Sequence, residues 1–169
     1  MSNIKFNGDP INVSGKIPGI GDKAEDFTFV KQDLTEGSLS DYGDKVKVII
    51  AVPSLDTGIC QKEARAFNEK LGSKPGVVGI IVSKDLPMAM KRFCTEEGIE
   101  DVISASDFRY NDFSNLYQAE MIDGPLKGLL ARIVFVVDQD NVIKYVEEVD
   151  DITHEPDYDK ALEAVNQIK

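Results

Sequence analysis

The stretch Val46-Lys47-Val48-Ile49-Ile50-Ala51-Val52-Pro53-Ser54-Leu55-Asp56-Thr57-Gly58-Ile59-Cys60 decides the fold. Val46 to Val52 is almost continuously apolar, the pattern of a strand buried on both faces. Pro53 ends that strand, because a proline ring has no N–H to give to a ladder. From Cys60 onward, Ala64, Phe67 and Leu71 recur at spacings of three and four, so an amphipathic helix follows.

The same alternation continues on the C-terminal side. Gly76 to Val82 reads as a second buried strand, and Leu86, Ala89, Met90 and Phe93 mark a second helix with Asp85 as its expected cap. Ile133 to Val137 is a strong apolar run, Asp138 to Asn141 is turn chemistry, and Val142 to Val149 returns beside it as an antiparallel hairpin. Tyr158, Ala161, Leu162 and Val165 form the apolar stripe of a final helix. On the N-terminal side, Ile4-Lys5-Phe6 and Ile11-Asn12-Val13 are short alternating runs around Gly8-Asp9-Pro10, which predicts a small hairpin. The glycine-rich segment Gly15 to Gly21 lacks the Gly-Lys-Ser/Thr ending of a phosphate loop.

Strands joined by helical crossovers, then a hairpin, then a helix, is the order of a thioredoxin-like α/β fold. The expectation is a central mixed sheet flanked by helices, with an N-terminal β-hairpin, in one domain over residues 1–169. Fold does not fix function, so the site must carry the rest.

Composition removes several function classes. With a net charge of −11, the chain lacks the basic clustering that nucleic acid or an anionic membrane surface requires. No apolar run approaches the roughly 20 residues of a membrane-spanning helix. Met1 to Gly15 has no basic segment followed by an apolar one, which leads to the expectation of a cytoplasmic protein. Two cysteines and one histidine do not match the ligand number or spacing of a zinc site, and His154 sits in an acidic, loop-like stretch unsuited to a catalytic triad.

Cys60 lies in the first turn of its helix, where unpaired N–H groups and the helix dipole favour a thiolate. The thiolate is the nucleophilic form, so position makes Cys60 a candidate; a buried structural cysteine is the bland alternative. Thr57, three residues earlier, can bring its hydroxyl beside the sulfur or simply cap the helix. Pro53 can shield the sulfur or simply end the strand. Arg132 stands inside the apolar segment Leu129-Leu130-Ala131-Arg132-Ile133-Val134-Phe135. Either its guanidinium snorkels to solvent or it meets a negative group, and a Cys60 thiolate would serve.

Taken together, Pro53-Ser54-Leu55-Asp56-Thr57-Gly58-Ile59-Cys60 resembles the peroxidatic motif of peroxiredoxins, most closely the atypical two-cysteine thiol peroxidase branch. Lys91-Arg92-Phe93-Cys94 resembles that branch's resolving segment, and Asp123-Gly124-Pro125-Leu126-Lys127-Gly128-Leu129 with Ala131-Arg132 resembles its arginine-bearing segment. Asp151-Ile152-Thr153 and Glu155-Pro156-Asp157-Tyr158 extend the likeness towards the C-terminus. One departure is Gln118-Ala119-Glu120, where smaller, more apolar residues such as Gly and Val are expected.

The resemblance implies a hydroperoxide substrate, Cys60 as nucleophile, Cys94 as resolving thiol through an intramolecular disulfide, and Thr57, Arg132 and Pro53 as supporting site residues. It implies thioredoxin as reductant, a homodimer, and no metal or organic cofactor. Cys94, four residues beyond Met90, falls on the apolar side of its helix and is expected to face inward when reduced. Because a disulfide needs Cα atoms within about 7 Å, local unwinding near Cys94 is expected during turnover. A disulfide oxidoreductase would share the fold, but Cys60-Gln61-Lys62-Glu63 lacks the second cysteine of Cys-x-x-Cys. A non-catalytic redox sensor using the same two thiols is the other alternative, separable by steady-state kinetics.

Overall fold

The computed structural model describes residues 4–168. In chain order the elements are β1 (Lys5–Phe6), β2 (Asp9–Pro10), β3 (Thr28–Val30), β4 (Glu36–Ser38), a 3-10 turn (Leu39–Tyr42), β5 (Val46–Ala51), α1 (Gly58–Leu71), β6 (Val77–Ser83), α2 (Pro87–Glu97), β7 (Ile103–Ser106), α3 (Asp112–Tyr117), β8 (Ile133–Val137), β9 (Ile143–Glu148) and α4 (Tyr158–Ile168). The main sheet has seven strands in the order β4-β3-β7-β6-β5-β8-β9. Strands β5, β6 and β7 are parallel neighbours, whereas β8 runs antiparallel to β5 and β9 antiparallel to β8. This is the expected mixed thioredoxin-like sheet with helices around it.

The period-two geometry of the central strands divides the core in two. Val46, Val48, Ile50 and Val52 of the β5 segment join Val134 and Val136 of β8 in a cluster covered by α1, α2 and α4. Ile49, Ala51, Ile133, Phe135 and Val137 face the other way, against Phe27, Phe113 and Tyr117. Residue 132 shares its parity with Val134 and Val136, so the backbone aims that side chain at α1. The fold thereby delivers Arg132 to the helix that carries Cys60.

Two local expectations need correction. The hairpin pairs Lys5 with Pro10 and Phe6 with Asp9, so its turn is Asn7-Gly8, not Gly8-Asp9-Pro10. Both turn residues have positive φ, +50° and +87°, which the Asn-Gly pair tolerates better than Asp-Pro could. Asp85 does not cap α2, whose N-cap is Leu86 with Pro87 at the start of the helix. Its carboxylate instead accepts from Ser54 Oγ at 2.7 Å, Leu55 N at 2.8 Å and Ser83 Oγ at 2.7 Å, tying the loop after β5 to the end of β6. Elements β3, β4, β7 and α3 were not anticipated at all.

The departure at Gln118 has a local consequence. Gln118 closes α3 in the left-handed conformation at φ +57°, where glycine is at ease and a side chain is strained. A Cβ added to Gly15 would collide with Gln118 Oε1, so the glutamine side chain occupies the space over Gly15. Ala119 is fully buried beside it.

Candidate active site

The loop between β5 and α1 is built to hold a helix N-terminus firmly. Pro53 is buried, Asp85 pins Ser54 and Leu55, and Gln61 Nε2 donates to the Leu55 carbonyl at 3.2 Å. Thr57 is the N-cap of α1: its Oγ1 accepts from Cys60 N at 3.3 Å and donates to the Ser54 carbonyl at 3.2 Å. The capping alternative for Thr57 therefore holds in this conformation. Its bond to Cys60 N is long, however, and Thr57 itself is exposed.

Cys60 occupies the first turn of α1 and is fully buried. Arg132 reaches it from the residue preceding β8. Only 2% of Arg132 is exposed, so its head group does not snorkel out. Nε donates to the Ile152 carbonyl at 2.9 Å, and Nη1 donates to Cys60 Sγ at 3.3 Å and to Glu63 Oε1 at 2.7 Å. Burial opposes the guanidinium charge, but Cys60 and Glu63 beside it outweigh that and hold its pKa above the ordinary arginine value.

Glu63 is the residue that sequence reasoning missed. It lies one turn after Cys60 on the same face of α1, with 0% exposure. Burial pushes its carboxyl up to about 7 despite the opposing pull of Arg132. Oε2 has no hydrogen-bond partner among the described residues. A protonated Glu63 would leave the Cys60–Arg132 pair electrically balanced, whereas an ionised one makes two anions compete for one guanidinium. The signal was available: an acid three residues after the cysteine, on a helix whose inner face is otherwise apolar.

Cys94 faces inward, as its helix periodicity predicts. Its Sγ lies 3.1 Å from Ser104 Oγ on β7, in the same apolar cluster that contains Cys60. Burial raises the Cys94 thiol pKa, and the Ser104 hydroxyl works against that rise. Both cysteines are free thiols. Helices α1 and α2 are linked at their surface by an Arg65–Glu97 ion pair, and Asn68 Oδ1 on α1 accepts from Asp101 N, in the loop after α2, at 2.8 Å.

The structure thus brings Pro53, Thr57, Cys60 and Arg132 to one end of the sheet and adds Glu63, while Cys94 stands on the neighbouring helix with a partner of its own. Such a constellation offers a thiol, a fixed cation and a helix N-terminus to a small anionic or polar oxygen compound. Among the described residues, no three His, Cys, Asp or Glu side chains gather as a metal site, and no helix is long and apolar enough to cross a membrane.

The chain is similar along nearly its whole length to known proteins. The redoxin family model matches residues 20–162. A thiol peroxidase of Leptospira interrogans is 49% identical over 168 residues, covering 98% of both chains. One from Oceanobacillus iheyensis is 42% identical, covering 99% of this chain and all of its own (100%). The crystal structure of a peroxiredoxin-like protein from Aquifex aeolicus superimposes with a TM-score of 0.93 at 41% identity, covering 98% of this chain and 96% of that one. A thiol peroxidase from Chromobacterium violaceum, at 23% identity and a TM-score of 0.86 over 97% and 95% of the two chains, shares the fold. The chain belongs to the redoxin family and, within it, to the thiol peroxidases, which are peroxiredoxin enzymes.

Proposed function

We propose that this thiol-dependent peroxidase works through Cys60 as nucleophile and Cys94 as resolving thiol, with hydrogen peroxide and organic hydroperoxides as substrates. The single observation that carries the reading is the 3.3 Å contact from Arg132 Nη1 to Cys60 Sγ, between two buried side chains at a helix N-terminus. A fixed guanidinium in such a place favours the sulfur anion and the charge that develops on the departing oxygen.

The Cys60 thiolate attacks one peroxide oxygen, an S–O bond forms and the O–O bond breaks. The departing alkoxide or hydroxide takes a proton and leaves as alcohol or water. The Cys60 sulfenic acid remains. Thr57 Oγ1 and Cys60 N, which now satisfy each other through a long bond, are the groups that the peroxide oxygens would engage in its place. Pro53, buried just after β5, would shield the sulfur from the strand side. Because Cys60 is fully buried, peroxide entry requires the turn over the sulfur to move.

Cys94 then attacks the oxidised sulfur, an S–S bond forms, and the hydroxyl leaves as water. Cys94 must first give up its contact with Ser104, so the end of α2 unwinds. A dithiol of the thioredoxin type reduces the disulfide by exchange, and its potential near −270 mV suits that step. A cytoplasmic location and a homodimer complete the proposal. The exposed apolar surface made by Leu34, Leu86, Met88 and Phe108 supports a contact between two copies.

The test is steady-state peroxide consumption with thioredoxin and its reductase. Wild-type protein should turn over, Cys60→Ser should be inactive at every peroxide concentration, and Cys94→Ser should oxidise once but not recycle with thioredoxin. Full turnover by Cys60→Ser would remove the nucleophile assignment.

A further inference from the structure

The arginine at the site is held by a carbonyl, and that carbonyl is held by the N-terminal hairpin. Ile152, whose carbonyl accepts from Arg132 Nε at 2.9 Å, belongs to the loop between β9 and α4. That loop is stitched to β1: Lys5 N donates to the Asp150 carbonyl at 2.9 Å, and Ile152 N donates to the Lys5 carbonyl at 2.8 Å. Asp151, between them, is buried and has no cation beside it among the described residues.

Its carboxylate is satisfied wholly by N–H and O–H donors. Oδ1 accepts from Asn7 N at 3.2 Å, Thr153 N at 3.0 Å and Thr153 Oγ1 at 2.7 Å, and Oδ2 accepts from Gly8 N at 2.9 Å. Burial works against this anion, but the bonds from Thr153, Gly8 and Asn7 outweigh it and hold the carboxyl well below the usual aspartate range. Asn7 and Gly8 are the two positive-φ residues of the hairpin turn, so their N–H groups converge on one point. A buried charge with this many fixed donors orients a loop more tightly than a surface contact would.

We propose that Asp151 is a positioning residue for the peroxidase site: it clamps the Asn7-Gly8 turn onto the 150–154 loop, so that the Ile152 carbonyl fixes the Arg132 guanidinium against the Cys60 sulfur. The inference rests on the reading of Cys60 and Arg132 given above. It assigns the short N-terminal hairpin a part in catalysis although no hairpin side chain touches the thiol.

The experiment compares full-length wild type, Asp151→Ala, the milder Thr153→Val, Arg132→Lys and Phe29→Leu. Phe29→Leu weakens the core near β3 without touching the brace. Two readouts are taken: the single-turnover rate of Cys60 oxidation by hydrogen peroxide, and the protection of the Arg132 Nε–H resonance in nitrogen-edited NMR spectra. Asp151→Ala should slow oxidation about tenfold and Thr153→Val by a few-fold, because a displaced guanidinium no longer meets the reacting atoms. In both, the Nε–H should lose protection, while the later disulfide-forming step keeps its rate and Phe29→Leu changes neither readout. Unchanged oxidation and Nε–H protection in Thr153→Val and in folded Asp151→Ala would overturn the brace while Arg132→Lys still slows the reaction. Unchanged oxidation in Arg132→Lys itself would overturn the site reading and the brace with it.

Discussion

Arg132 and Glu63 form a fully buried ion pair at 2.7 Å, and the nitrogen of that pair is the one that contacts the Cys60 sulfur at 3.3 Å. One guanidinium nitrogen therefore serves a carboxylate and a thiol at once. The charge state of either acceptor decides how much of the cation the other receives.

Arg132→Lys should lower the rate of Cys60 oxidation by about a hundredfold, although the charge is retained. A lysine is a point donor and cannot span Ile152 O, Cys60 Sγ and Glu63 Oε1 as the planar fork does. Arg132→Met should also cost about 3 kcal/mol or more of stability above pH 7, because an ionised Glu63 is left without its partner. Stopped-flow oxidation and urea denaturation check the two effects.

The Glu63 carboxyl is pushed up to about 7 in the folded protein, from 4.5 as a free side chain. The folded state thus binds a proton that the unfolded state has lost, and the stability linked to it is complete below pH 4.5. That contribution falls as pH rises towards 7 and is gone above it. Integrated over this window the change is on the order of 3 kcal/mol. Glu63→Gln should flatten the pH dependence between pH 4.5 and 7, and at pH 8 it should be at least as stable as wild type. Urea midpoints measured across that range decide it; parallel pH profiles for the two proteins would contradict the assignment.

Oxidation should be visible at the end of α2. Cys94 is packed against Ser104 inside an intact helix, and bridging to Cys60 requires it to leave that contact. Amides from Met90 to Gly98 should therefore exchange faster in the disulfide form than in the dithiol form, by about tenfold or more. Exchange mass spectrometry of the two forms checks this, and matching protection would contradict unwinding.

Gln118→Gly should stabilise the protein by about 0.5–1 kcal/mol, since the residue closes α3 at φ +57°. The gain is limited by losing the bond from the Gln118 side-chain amide to the Asn115 carbonyl. Thermal unfolding of the two proteins, with unchanged peroxidase activity, checks the effect.

The elements with strong apolar patterns were legible from sequence: β5, β6 and β8 are buried along nearly their whole length, and α1 and α4 carry clear stripes. What escaped notice was short or polar. Strand β7 is Ile-Ser-Ala-Ser, β4 is Glu-Gly-Ser, and α3 spans six residues. Their burial comes from tertiary neighbours and not from their own pattern. At the site, Cys60 stands out by its place at a helix N-terminus and Arg132 as a charge inside an apolar segment. Glu63 does not, because an acid on a helix is usually solvated, and only the fold puts Arg132 opposite it. Asp85 reads from sequence as a helix cap and Asp151 only as part of a family-like segment; their roles lie in accepting N–H donors from segments far away in the chain, which only the fold brings near.

The most direct measurement reduces the protein, adds one equivalent of hydroperoxide, blocks free thiols and maps the peptides by mass spectrometry. The account predicts rapid loss of both thiols to a Cys60–Cys94 disulfide, with a Cys60 sulfenic acid trapped in Cys94→Ser. Two thiols that stay free and blockable in the folded protein, or oxidation that begins at Cys94, would contradict it.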